Sequence, residues 1–392
     1  MRKRGRGRGG AHDGAGEEGR AAQSGQPAPL VTATRRSKQR HTNDEAPPPR
    51  KRSRAARHPV VIVLNFALFA LVMAIFGTVA AFVIGRQAYL AAGPLEMPVQ
   101  LNIPRGASVQ SIAQGLEAEG VISNQYVFIA AAYGTGSTQS VKAGEYAIEP
   151  EASMADVLAK IVSGDVVQHQ ITIAEGLSSA QVVNRLNENQ VLTGTISEIP
   201  PEGSLLPETY RVTRGMSRAR VLELMRNARE QVLAQAWENR DPDLPIESPS
   251  DLVTLASIVE KETGQREERG RVASVFVNRL RQGMKLQSDP TILYGLYGGE
   301  AWNEGRTIYQ SDLDRANPYN TYQIDGLPPG PIANPGREAL MATANPDETT
   351  DLFFVADGTG GHAFARTYAE HQENVARWRE IERARNSSSE TQ

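Results

Sequence analysis

Residues 60–84 form an unbroken run of 25 residues without a charged side chain. A helix of that length crosses a bilayer with some tilt. Asn65 is its one strongly polar member, and Gly77 and Thr78 are tolerated in membrane helices. Arg50, Lys51, Arg52, Arg54 and Arg57 stand just before the run, and only Arg86 follows closely. Positive charge accumulates on the cytoplasmic side of a span. A span over 59–85 is therefore expected, with a cytoplasmic N-terminus and residues 86–392 on the far side. A cleaved signal peptide has a shorter apolar stretch and a much shorter leader before it. A buried core helix would need a large protein around it, because the run has no polar face.

The charge divides at the same place. Residues 1–58 hold 15 Lys/Arg against 5 Asp/Glu, while the rest of the chain holds 27 against 40. The first stretch is rich in Arg, Gly, Pro and Ser and poor in large apolar residues, so it is expected to be a disordered basic tail. Its Arg/Gly repeat over 4–10 looks like an RNA-binding tract. A solvated arm that sets topology and touches anionic lipid explains it more simply, and no nucleic-acid partner is expected. The chain has no cysteine, which excludes disulfides, thiolate nucleophiles and zinc–thiolate sites.

Beyond the span the chain repeats itself. Residues 101–122 align without gaps on 171–192, with identities at Ile103/Ile173, Gly106/Gly176, Ser108/Ser178, Leu116/Leu186 and Val121/Val191. Residues 146–161 run parallel to 210–225, starting from Tyr146 and Tyr210. Each copy reads as a strand, a Gly turn, a Ser-started helix and a short apolar stop. Residues 97–230 are thus expected to be a duplicated small α+β module. The unit resembles LysM, a module that binds glycans containing N-acetylglucosamine. A purely structural spacer stays open beside that reading.

Pro242, Pro245 and Pro249 mark 236–250 as a linker. Helices follow: one in which Leu252, Leu255, Ala256, Val259 and Thr263 recur at helical spacing with Ser250 or Asp251 as N-cap, and another over about 268–282. A strand over 351–357 and a partner over 362–364 read as a hairpin, and a last amphipathic helix spans about 367–385. The fold class is therefore α+β throughout, with a second α+β domain over 250–385. At 100° per residue Glu260 falls about 90° from the centre of its helix's apolar stripe, so it borders the core. A carboxyl there is partly desolvated, which raises its pKa toward that of a general acid. Glu262 lies at the opposite border and Lys261 points outward. Most helical glutamates are only solvated charges, so Glu260 gains meaning from its surroundings.

Those surroundings resemble one family. Segments 255–263, 272–280, 286–290, 319–322, 326–331 and 353–364 occur in this order in the YceG-like endolytic murein transglycosylases, with an upstream counterpart at 202–210. The single span and a LysM-like region before the catalytic domain fit as well. Glu208 stands where the family pattern has Asp, which keeps the acid, and the long basic tail is not a family hallmark. The resemblance implies an enzyme of the bacterial inner membrane with its catalytic domain in the periplasm. It implies cleavage of the β-1,4 bond between N-acetylmuramic acid and N-acetylglucosamine within peptidoglycan strands, leaving 1,6-anhydro ends. Terminating strand elongation beside peptidoglycan synthases is the role that follows. The family's catalytic Glu maps onto Glu260.

One carboxyl can do both proton transfers of that reaction, as acid toward the leaving oxygen and then as base toward the 6-hydroxyl. A hydrolytic muramidase would need a second carboxylate, for which Asp289 is the candidate, although Asp before Pro is often a turn or cap residue. Asn278, Gln287, Ser288, Asp289, Tyr319, Asn320 and Thr321 are the candidate sugar contacts. Asn278 could equally tie two helices together, and Asn320 could cap a turn. His362 is read as hairpin support. Arg266–Arg271 reads as a solvated helix start. No His/Asp/Glu set has metal-ligand spacing, and no cofactor motif is present, so no cofactor is expected. A non-catalytic peptidoglycan-binding protein remains the alternative from another class.

Overall fold

The structure, a computed structural model, describes residues 58–300 and 307–389. The expected basic tail lies outside the described residues except for His58. The fold is mixed α/β. Helix α1 (Pro59–Leu90) is apolar, with none of its residues buried. At 1.5 Å per residue it is about 48 Å long, more than a hydrocarbon core requires. It is compatible with a single membrane anchor.

Two small units follow. The first is β1 (Val99–Ile103), α2 (Val109–Ala118), α3 (Gln125–Gly134), β2 (Gly144–Ile148) and α4 (Met154–Ser163). The second is β3 (Gln168–Thr172), α5 (Ser179–Glu188), β4 (Thr209–Thr213) and α6 (Arg218–Glu238). Each pairs its two strands antiparallel, with Leu101 opposite Tyr146 in one and Ile171 opposite Tyr210 in the other. Ser108 and Ser178 cap the first helix of each unit, and Ser153 and Ser217 the last. A Ser hydroxyl at the N-cap accepts from an otherwise unpaired helical N–H. Each tyrosine hydroxyl donates to the carbonyl four residues earlier, Lys142 and Leu206, at 2.7 Å in both. The units differ in α3, which the second lacks. Tyr146→Phe and Tyr210→Phe should each cost about 0.5–1.5 kcal/mol. Thermal unfolding that shifts for one and not the other would break the equivalence.

The remaining helices pile together after the second unit. These are α7 (Pro249–Glu262), α8 (Arg269–Arg281), α9 (Asp289–Tyr297), α10 (Gln310–Leu313) and α11 (Arg337–Ala344). The hairpin β5 (Phe353–Ala356) and β6 (His362–Ala365) follows, then α12 (Tyr368–Ser389). Ser248 caps α7, not Ser250 or Asp251. Pro249 then takes the first helical position, where no N–H is needed, and Asp251 closes a capping box. The stretch 236–250 is not a free linker. Helix α6 runs through to Glu238, with Val221, Leu222 and Met225 in the core of the second unit. Val232, Leu233 and Ala236 of the same helix pack against Leu252, Val253 and Ala256 of α7. Leu244 is buried against Leu255 and Val259. The second unit and the helical pile therefore share one helix.

Candidate active site

Helix α7 is buried on every side from Leu252 through Glu260. Leu255, Ile258 and Val259 face one core, and Leu252, Val253 and Ala256 face the other. Gly203 permits the close approach of the second unit: a Cβ there would lie 2.6 Å from a Val253 methyl and 2.8 Å from Pro331. So Glu260 is not at a border, as a two-sided helix would have it. Its side chain is 4% exposed.

Its carboxylate has two donors. The Gly336 backbone N–H, at the N-terminus of α11, donates to Oε2 at 2.8 Å. Nη2 of Arg269, the first residue of α8, donates to Oε1 at 3.0 Å and also to Glu175 at 2.8 Å. Arg269 is itself buried, against its expected place on a solvated helix start; it lies between the Glu175 and Glu260 carboxyls. Its Nε and Nη1 have no hydrogen-bond partner. Burial pushes the Glu260 carboxyl above the ordinary glutamate range. The Gly336 N–H, Arg269 and Lys261 pull it back and Glu175 adds to the rise, leaving it raised. A Cβ at Gly336 would fall 2.1 Å from a Glu175 oxygen, so a side chain there displaces the group that holds Arg269.

Asn334 pins this junction. It is fully buried, its Oδ1 accepts from Leu205 N–H at 3.0 Å, and its Nδ2 donates to Leu177 O and Ser179 Oγ, both at 3.1 Å. Asn334→Ala leaves these groups unpaired and should cost about 2–3 kcal/mol. An unchanged melting curve would contradict this role.

A second carboxyl stands at the end of α7. Glu262 accepts from Ser288 Oγ at 2.5 Å. Burial raises its pKa to about 7, with Ser288 and Arg279 opposing and Asp289 adding. Ser288 sits at the N-cap of α9, but its hydroxyl serves Glu262 instead of the helix. Ser288 N–H donates to Thr321 Oγ1 at 2.9 Å, and Gln287 N–H to Thr321 O at 3.1 Å. Tyr322 hydroxyl donates to Asp289 Oδ1 at 2.7 Å. Gln287 and Asp289 are exposed, whereas Ser288 and Thr321 are buried. The segments 286–290 and 319–322 therefore meet in one place.

The other candidates lie differently. The Asn278 amide donates to Thr349 O at 2.9 Å and Asp351 O at 3.1 Å, which ties α8 to the segment before β5. Asn320 is fully buried; it donates to Leu313 O and Arg315 O and accepts from Tyr322 N–H, holding a turn. Tyr319 packs edge-on against Tyr294 with ring centroids 4.9 Å apart. His362 Nδ1 lies 2.8 Å from Glu268, bracing the hairpin. Glu208 pairs with Arg337 at 3.1 Å.

Sequence reasoning passed over Glu202. Its Oε2 accepts from Ser179 N–H at 2.8 Å, and burial raises its pKa to about 7. It opens the 202–210 segment, which was the available signal. Glu202 and Glu262 both hold their proton longer folded than unfolded. Their contribution is present below the ordinary value of 4.5 and is lost as pH rises through about 7. Stability should therefore fall across that window, and Glu202→Gln with Glu262→Gln should flatten the fall in chemical denaturation. A slope that survives the double substitution would contradict it.

Two carboxyls whose pKa is raised by burial thus end α7: Glu262 lies beside the Ser288 and Thr321 hydroxyls, and Glu260, two residues earlier, meets the Gly336 N–H and Arg269. The chain belongs to the YceG-like family, whose model matches residues 101–377. It is similar to the endolytic murein transglycosylase of Bacillus subtilis strain 168, with 30% identity over 306 residues, covering 70% of this chain and 82% of that protein. The protein of the same name from Streptococcus pneumoniae D39 is 28% identical over 324 residues; the match spans 71% of this chain and 58% of that longer relative. A crystal structure of a YceG-like protein from Listeria monocytogenes is 30% identical, with a TM-score of 0.43, covering 70% of this chain and 98% of that one.

Proposed function

We propose that this chain is an endolytic peptidoglycan lytic transglycosylase, held by α1 in the bacterial inner membrane with its N-terminus in the cytoplasm. The observation that carries the reading is Glu260: a buried carboxyl with a raised pKa, in a chain whose relatives are named endolytic murein transglycosylases. Each carboxyl oxygen keeps a lone pair beyond its one donor, so a proton has a place to sit. Neutral Glu260 gives that proton to the glycosidic oxygen as the bond from C1 of N-acetylmuramic acid breaks. The resulting carboxylate is stabilised by Arg269 and by the Gly336 N–H at a helix N-terminus. It then takes the proton of the 6-hydroxyl as O6 bonds to C1, which closes a 1,6-anhydro ring and restores the acid.

Gln287, Ser288, Asp289 and Thr321, with Tyr319 beside them, are the proposed sugar-contacting patch. Asn320 shapes it from behind through the turn it holds, while Asn278 ties α8 to the segment before β5. The two α+β units are proposed to act as LysM-like glycan contacts, and the enzyme to terminate nascent strands beside a peptidoglycan synthase. The test is digestion of purified peptidoglycan by the full-length protein, with mass analysis of the released fragments. Internal fragments ending in 1,6-anhydro-muramic acid support the reading. Reducing ends one water heavier would mean a muramidase, with Asp289 or Glu262 as second carboxylate, and no release would leave a binding protein.

A further inference from the structure

We propose that α3 docks the first α+β unit onto the phospholipid surface, lying in the headgroup zone beside the end of α1. The inference rests on reading α1 as a membrane span. Helix α3 carries no charged residue, whereas α2 carries Glu117 and α4 carries Asp156 and Lys160. Its inner face is anchored by buried Phe128 and Ala132. Its outer face presents Tyr126, Ala130 and Tyr133 at helical spacing, with Tyr126 74% and Tyr133 59% exposed. An aromatic body with a polar hydroxyl favours the boundary between hydrocarbon and water.

The position of α3 identifies the occupant. A groove of about 590 Å³ separates it from the C-terminal part of α1, with Phe82, Gly85 and Tyr89 on one wall and Tyr126, Ala130 and Gly134 on the other. Phe82 belongs to the uncharged run that ends at Ile84, and Arg86 marks where that run meets a polar medium. Whatever surrounds Phe82 also reaches the facing side of α3. Lipid acyl ends and headgroups fit a groove that is apolar at its walls and bordered by one guanidinium and tyrosine hydroxyls.

The chain has no cysteine, so single cysteines give unique labelling sites. Nitroxide labels at Phe76→Cys, Ala130→Cys and Tyr368→Cys in the full-length protein in phospholipid vesicles would be compared. The readout is the ratio of collisions with oxygen, which partitions into lipid, to collisions with a water-soluble nickel chelate. The proposal expects the highest ratio at position 76 and a severalfold higher ratio at 130 than at 368. Adding Tyr126→Ser and Tyr133→Ser should bring position 130 down toward the value at 368. A ratio at 130 equal to that at 368, with 76 in lipid, would overturn the docking while leaving the anchor. Shielding of 130 from both reagents would mean a protein partner or a second copy, and would overturn it too. A water-exposed label at 76 would overturn the anchor reading beneath it.

Discussion

Glu260→Gln is expected to lower the rate of glycan cleavage by about 10³–10⁴-fold, at the upper end of what a positioned acid–base group contributes. The factor is large because the same carboxyl serves both proton transfers, so its loss slows bond breaking and ring closure together. The amide is nearly isosteric, but it presents one oxygen where the carboxylate presented two. Either the Gly336 N–H or Arg269 then loses a partner, which should cost about 1–3 kcal/mol of stability. Arg269 keeps Glu175, so no buried charge is left alone. Initial rates of fragment release, measured below the melting temperature of both proteins, check this. A variant within tenfold of the parent would remove Glu260 from the chemistry.

Arg269→Ala should have the largest effect on stability, about 3–5 kcal/mol, because it breaks a buried ion pair by deleting one partner. Glu260 and Glu175 would then face each other without the guanidinium between them. Glu260 would hold its proton to higher pH, since the cation that lowers its pKa is gone. The activity of whatever remains folded should therefore persist further into the alkaline range. Arg269→Lys separates this positioning role from bulk packing, because it keeps the charge but cannot span two carboxylates in the same geometry. Unfolding curves and a pH–rate profile read both effects. A loss of stability with an unshifted profile would assign Arg269 to structure alone.

Much of the frame is legible in the sequence. The uncharged run marks α1, and the matched Gly, Ser and Tyr positions mark two units whose strand registers coincide. Helical spacing finds α7 and α8 within a residue or two. What it cannot find is a helix wrapped on both faces. A periodicity argument assigns α7 one wet side, and that places Glu260 at an edge. In the fold, Gly203 and the 331–336 segment cover that side. Arg269 is hidden for the same reason. Its partner Glu175 lies 94 residues earlier, and local pattern carries no signal of a charge compensated across that distance. Glu202 and Glu262 likewise owe their shifted protonation to burial by segments far away in sequence. The roles of Asn278 and Asn320 depend on which carbonyls the folded loops bring near them.

The central claim is that one carboxyl cleaves the glycan without water, and digestion in heavy-oxygen water tests it most directly. Peptidoglycan would be treated with the full-length protein, and with Glu260→Gln, and the masses of the new chain ends read. The account predicts anhydro ends that carry no heavy oxygen from the parent protein, and almost no new ends from the variant. Ends that are one water heavier and carry the label would contradict it.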